Sequence, residues 1–212
     1  MLEQRSPAWF AARAGNFTAS RMSDLMARLK SGGEAASRKN MIVTLAVERL
    51  TGTCVETFSN SAMQRGTDLE PEGLNAYAFE FGVVIEEAAY IVHPEMPRVG
   101  CSPDGLIDSD GMIERKCPAA MGKHLDALKT GAHAQEYRWQ AQHQLFVTGR
   151  EWVDMVSYDP RWPNGLQLAV KRVFKNAEDQ AELAEEIAKS DAEIEQIVAE
   201  LRALGNVAEA AE

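Results

Sequence analysis

Gly100-Cys101-Ser102-Pro103-Asp104-Gly105-Leu106, followed after Asp108-Ser109-Asp110 by Gly111-Met112-Ile113-Glu114-Arg115-Lys116-Cys117-Pro118, is the most informative stretch of the chain. Pro103 and Gly105 bend the backbone around Asp104, and the Asp- and Gly-rich turn returns a second strand beside the first. Asp104 and Glu114 are thereby brought close, and strand alternation places Glu114 and Lys116 on one face. Two adjacent carboxylates repel and resist desolvation unless a cation lies between them. Hard oxygen donors of this kind suit magnesium, with manganese as a substitute. A lysine beside such an ion can orient water or neutralise charge on a phosphoryl group. The carbonyl of Arg115 is a further candidate ligand at the strand edge. The same residues also fit a turn former and a surface strand pair, because an Asp and a Glu-x-Lys at this spacing form a weak pattern when taken alone.

Outward from this stretch, the pattern is helical first and then mixed. Trp9 to Arg28 reads as a short helix, a turn at Gly15-Asn16 and a second helix from about Thr18. Residues 30–39, with Lys30, Arg38 and Lys39 around Gly32-Gly33, read either as a solvated linker or as a mobile strip that grips phosphates. Helices are predicted over 40–51, 69–81, 120–129 and 134–148. Strands are predicted over 83–92, 99–107, 111–117 and 151–158. This order gives a mixed α/β core.

From Asn176 a long acidic helix begins, with Leu183, Ile187, Ile194, Ile197, Leu201 and Leu204 on one stripe. The stripe packs on the chain's own body or on a neighbouring subunit. Residues beyond Gly205 read as disordered.

The net charge is -10 over 212 residues, yet residues 176–212 alone carry eleven acidic and two basic residues. The first 175 residues hold 21 acidic and 20 basic ones, so a local positive groove remains compatible with a polyanionic partner. No apolar run is long enough to span a membrane, and MLEQRSPAWF lacks a basic leader with an apolar core. Cys54, Cys101 and Cys117 are odd in number and unpaired in spacing, which fits a reducing compartment. His93, His124, His133 and His143 form no short zinc motif with them.

The segment 100–118 resembles the PD-(D/E)XK nucleases, specifically the phage lambda exonuclease and YqaJ-like viral recombinase family. The resemblance extends to Trp9-Phe10-Ala11-Ala12-Arg13-Ala14-Gly15-Asn16-Phe17-Thr18-Ala19-Ser20, to Arg65-Gly66-Thr67-Asp68-Leu69-Glu70 and to Gln140-Ala141-Gln142-His143-Gln144-Leu145-Phe146-Val147-Thr148. It implies a restriction-endonuclease-like core, a mixed central sheet flanked by helices, over a nuclease domain of residues 1–175. Residues 176–212 then form an acidic helix and tail. It further implies Asp104, Glu114 and Glu70 as metal ligands and Lys116 as the catalytic lysine. Arg13, Ser20, Ser102 and Gln142 would hold a 5′-terminal phosphate.

The implied activity is magnesium-dependent digestion of one strand of linear duplex DNA from its 5′ end, by a homotrimeric ring. An annealing protein as partner, and the cytoplasm of a bacterial or phage-infected cell, go with that activity. An endonuclease of the same fold and a catalytically silent DNA-end-binding module are the alternatives. Arg115 departs from the family pattern, where this position is usually apolar. Its side chain must therefore snorkel, pair with an acid or face a partner.

Overall fold

The computed structural model describes residues 4–55 and 61–205. The helical first third comprises α1 (Pro7–Arg13), β1 (Phe17–Thr18), a 3-10 turn (Ala19–Arg21), α2 (Met22–Leu25), α3 (Ala36–Thr51), α4 (Ser61–Asp68) and α5 (Glu70–Phe81). Short strands follow: β2 (Ile85–Glu86), β3 (Ile91–Val92), β4 (Val99–Cys101) and β5 (Gly105–Ile107). After β6 (Gly111–Lys116) come α6 (Met121–Thr130), α7 (Ala132–Glu136), α8 (Arg138–Thr148), β7 (Trp152–Tyr158), β8 (Leu168–Phe174) and α9 (Ala177–Gly205).

Two sheets result, a five-stranded one in the order β2-β5-β6-β7-β8 and a three-stranded one in the order β1-β4-β3. The larger is mixed: β6 and β7 run parallel, and its other neighbours are antiparallel. A parallel pair needs a crossover, and α6 to α8 supply it. β6 is buried along nearly its whole length because both of its faces are covered. Met112 joins Leu145, Val153 and Met155 on one side, while Ile113 joins Tyr77, Trp152 and Val156 on the other.

The sequence reading places one strand over 99–107, but the chain breaks it between β4 and β5. Pro103 has no N–H to give a ladder, so the backbone leaves the smaller sheet at Ser102 and enters the larger at Gly105. The 83–92 strand divides between the two sheets in the same way. Helix 134–148 is interrupted at Tyr137, where φ is −104° and ψ is 21°. The predicted helix from Thr18 is preceded by β1, whose two residues pair parallel to Val99 and Gly100. Strand β8 has no counterpart in the sequence reading. It lies at the sheet edge with Lys171 and Arg172 exposed, so its alternation is too weak to stand out.

The acidic α9 packs on its own chain. Leu183, Ile187, Ile194 and Val198 enter a core with Phe17, Met22, Leu45 and Val147, whereas Leu204, at the end of the predicted stripe, stays exposed. Its acids meet arginines of the body. Arg38 bonds Glu186 at 2.8 Å, Ser190 at 3.0 Å and Glu193 at 3.0 Å, and Arg28 adds a second bond to Glu186. Arg49 reaches Asp191 and Glu195, each at 2.6 Å. This explains why α3 starts at Ala36 rather than near residue 40: Arg38 is buried against α9, not held out for a phosphate. Tail residues beyond Gly205, read as disordered, lie outside the described residues.

Removing Arg38 leaves the nearly buried Glu186 with only the 40% exposed Arg28 as its cation and strips the ion pair to Glu193. Arg38→Ala should lower unfolding free energy in urea by about 3 kcal/mol. Arg138→Ala, which breaks a half-exposed pair with Asp179, should cost about 1 kcal/mol or less. Equal losses would show that α9 is not fastened through Arg38.

Candidate active site

The site forms at the seam between the sheets. Antiparallel pairing of Gly105 with Ile113 sets Asp104 beside the next residue of β6, and the Arg115 N–H donates to Asp104 Oδ2 at 2.7 Å. Alternation turns Glu114 and Lys116 to the same face. There, Lys116 Nζ donates to Glu114 Oε1 at 2.8 Å and to Gln140 Oε1 at 3.0 Å, and lies 4.5 Å from the centre of the Tyr137 ring. Gln140 and Gln144, one turn apart on α8, donate to the two oxygens of Glu114 at 2.6 Å each. A carboxylate gripped at both oxygens is held in one orientation.

These charges perturb one another. Burial, and then repulsion from Glu114, push the Asp104 carboxyl up to about 7, against the pull of Arg115 and Lys116. Burial draws Lys116 down, but Glu114 and Asp104 more than offset it, and its pKa lies above the ordinary lysine value. Lys116 is therefore a full cation at neutral pH.

Glu70 opens α5 and lines the same cavity, of about 910 Å3, as Asp104, Glu114 and Lys116. Its carboxylate is ion-paired with Arg5 and stands 3.7 Å from the Arg115 guanidinium. That contact resolves the unusual residue in the Glu114-Arg115-Lys116 triplet. The Arg115 side chain takes the opposite face of β6, pairs with an acid and passes so close to Gly73 that a Cβ there would fall 2.5 Å from Arg115 Cδ.

Arg13, Ser20 and Ser102 line this cavity as well. Arg13 stacks over Trp9 at 4.0 Å, and both Trp9 Nε1 (2.9 Å) and Arg13 NH1 (3.4 Å) donate to Ser102 Oγ. With its oxygen accepting twice, the Ser102 hydroxyl has its own hydrogen to give to an anion. Fully buried Glu48 holds the segment between Arg13 and Ser20 in place. It accepts from Gly15 N at 2.8 Å, from Val55 N at 3.0 Å and from both ends of the Arg21 guanidinium. Gly15 has φ +69°, and a Cβ there would meet Arg49 Cγ at 2.6 Å, so only glycine serves at this turn.

Gln142 is the correction. Helical rotation carries it about 200° from Gln140, and it faces the start of α9, where its amide donates to Phe174 O (2.8 Å) and accepts from Asn176 N (3.0 Å). It does not line the cavity; Gln140 does. The sequence reading also passed over Gln144, Tyr137, Trp9 and Arg5. The signal for the glutamine pair was their four-residue spacing, but without a partner strand it did not say which face looked at Glu114.

Among the described residues, no three His, Cys, Asp or Glu side chains are grouped closely enough to hold a metal ion. Asp104 and Glu114 nevertheless fit a divalent cation in donor chemistry. Their repulsion shows in the raised Asp104 pKa, and such ions complete an oxygen shell with backbone oxygens and water.

Residues 8–151 match the YqaJ-like viral recombinase domain. The chain is 41% identical to an alkaline exonuclease, LHK-Exo, from Laribacter hongkongensis, with a TM-score of 0.85 over 96% of this chain and 100% of that one. LHK-Exo in complex with dAMP gives 41% identity and 0.86 over 95% and 98%. A phage-related exonuclease from Haemophilus somnus 129PT, at 14% identity, shares the fold with a TM-score of 0.72 over 88% and 96%. No curated protein matches. No described helix is long and apolar enough to cross a membrane.

Because the folded-state pKa of Asp104 lies above its ordinary value of 3.8, the folded protein keeps this proton longer than the unfolded chain. Stability is therefore lost as pH rises from about 4 to about 7. Asp104→Asn should remove that loss. In EDTA the variant should exceed the wild type by on the order of 2 kcal/mol above pH 7, with the gap closing toward pH 4. A gap that does not change with pH would contradict this.

Proposed function

Since the chain belongs to the YqaJ-like viral recombinase family, we propose that it is a magnesium-dependent exonuclease of the PD-(D/E)XK type. In this reading it degrades one strand of linear duplex DNA from a 5′-phosphorylated end. The observation that carries this is one cavity holding both halves of the chemistry. Asp104, Glu114 and Lys116 stand on one side, and Arg13, Ser20 and Ser102 on the other. A nuclease that cuts within a strand has no use for the second set, whereas one that counts from an end does.

Asp104 and Glu114 would hold the ion, together with the Arg115 carbonyl, and Glu70 would join them on exchanging Arg5 for the metal. Manganese is a chemically suitable substitute. When bound, the ion polarises the phosphodiester and lowers the pKa of water.

The remaining work falls to the chain's own side chains. The Arg13 fork and the two serine hydroxyls bind the terminal phosphate and set which phosphodiester lies beside the carboxylates. Gln140 and Gln144 keep Glu114 from rotating away. Lys116, charged and anchored by Glu114 and Gln140, neutralises the negative charge that builds on the phosphoryl oxygens.

The product would be a 3′ single-stranded overhang, taken up by an annealing protein in the cytoplasm of a bacterial or phage-infected cell. A trimeric ring would keep the enzyme on DNA by enclosure. That mode suits a body whose charge is nearly balanced.

With magnesium, linear duplexes bearing 5′ phosphates should be digested faster than those with 5′ hydroxyls, and closed circles should stay intact. Lys116→Ala should slow digestion by at least about 100-fold. Cut circles, or indifference to the end group, would point to an endonuclease. Absence of cutting with retained binding would point to a silent DNA-end module.

A further inference from the structure

A second cavity, of about 690 Å3, lies behind the carboxylates, and no part of the chemistry above uses it. Its walls share Arg5, Thr67, Glu70 and Asp104 with the larger cavity, so the two meet at the acids. Beyond the joint the wall is mostly apolar, with Leu74, Ala78, Val83 and Ile85 beside the amides of Gln4 and Asn75 and the carboxylate of Glu87. An apolar wall of this kind can cover sugar and base faces, and it has few polar groups with which to tell one base from another. Among the described residues, Arg5 is the only cation that lines both cavities.

Arg5 is held where it is. Gln4 Nε2 donates to Ala88 O at 3.0 Å and to Pro103 O at 3.1 Å, which ties the N-terminal arm to the residue just before Asp104. On the other side, Ser6 caps α1 by accepting from Trp9 N at 3.2 Å. Between these anchors Arg5 adopts φ +67°, a left-handed conformation that is uncommon for a residue with a side chain and costs energy to maintain. The strained backbone directs the guanidinium onto Glu70, while about half of the side chain stays open to solvent. A guanidinium has five N–H donors, and the contact with Glu70 leaves others to be used.

A strand whose end sits by Arg13 and whose next phosphodiester lies at Asp104 and Glu114 has to continue somewhere. We propose that it crosses the joint into the smaller cavity, and that Arg5 clamps its phosphodiester backbone there. The ligand class is a single DNA strand of at least two nucleotides, bound without base preference. The charge balance explains why a cation is needed. A polyanion crossing this joint passes Glu70, Asp104 and Glu114 and then faces Glu87, and among the described residues Arg5, at the joint, is the one cation that lines the smaller cavity. A forked donor also fixes a phosphate's orientation, which a lysine ammonium does less well. Arg5 is thus a substrate-positioning residue, separate from the terminal-phosphate set. The inference rests on the nuclease reading for the path of the strand.

The test is equilibrium binding of a 5′-phosphorylated duplex to the full chain by fluorescence anisotropy over a salt series, with calcium replacing magnesium so that the strand is not cut. Wild type, Arg5→Ala and Arg5→Lys are compared. Arg5→Ala should bind about ten-fold more weakly, and its slope of log affinity against log salt should fall by about one, the signature of one lost phosphate contact. Arg5→Lys should keep the slope. A residue that merely neutralises Glu70 would not move it, so an unchanged slope in Arg5→Ala overturns the clamp.

The two readings fail separately. Wild type that cuts linear DNA while Arg5→Ala keeps the full slope removes the clamp and leaves the nuclease. Wild type that binds with the slope lost in Arg5→Ala yet cuts nothing removes the nuclease and leaves the clamp. Matching thermal midpoints of the three proteins establish that folding is not the cause.

Discussion

Two carboxylates pressed together at the edge of the water are the constraint on which this molecule is organised. Asp104 and Glu114 repel, and each needs fixed donors to stay in place. The chain meets that need with its regular elements rather than with loops. Strand β6 gives Asp104 a backbone N–H, and α8 gives Glu114 two amides a turn apart. The same strand puts Lys116 within reach of Glu114. The crossover that carries α8 is the one that the parallel pair β6–β7 requires in any case, so the fold's topology and the orientation of the acids have one source.

The seam between the sheets has a matching logic. Pro103 cannot donate to a ladder, so the backbone must leave one sheet there, and the residues on either side of it become free to serve a cavity. Ser102 looks toward Trp9 and Arg13, and Asp104 looks toward Glu114. A hydroxyl suited to a phosphate and a carboxylate suited to a cation are thereby set two residues apart, on a backbone held by β4 and β5. Short separation and a rigid base are what positional accuracy requires.

The charge of the molecule is arranged with equal economy. The acidic α9 makes the whole chain look hostile to a polyanion, yet several of its acids are spent on Arg28, Arg38, Arg49 and Arg138. Arg38 and Arg49 are buried in these contacts, whereas Arg28 and Arg138 stay partly exposed. The helix is a clamp on the chain's own body, with Leu183, Ile187, Ile194 and Val198 beneath it. Net charge is a sum, and it says little about where a potential is felt.

Much of this was legible before any coordinates. The Pro103-Asp104-Gly105 bend, the return to Glu114 and Lys116, the helices near 69–81 and 120–129 and the strand at 151–158 all follow from local rules of turn chemistry and periodicity. The sequence by itself determined that Asp104, Glu114 and Lys116 are brought side by side, because turn chemistry and strand alternation are local properties. Tertiary structure alone decided which neighbours those groups meet. Gln142 and Gln140 are equivalent as residue types, and only the docking of α8 on β6 turns Gln140 to Glu114 and Gln142 to Phe174 and Asn176. Arg38 looked mobile until α9, some 150 residues later, supplied Glu186. Arg115 looked misplaced until Glu70 and the bare backbone of Gly73 made room for it. Contacts between residues far apart in sequence depend on packing and direction, and neither is written in the order of the residues.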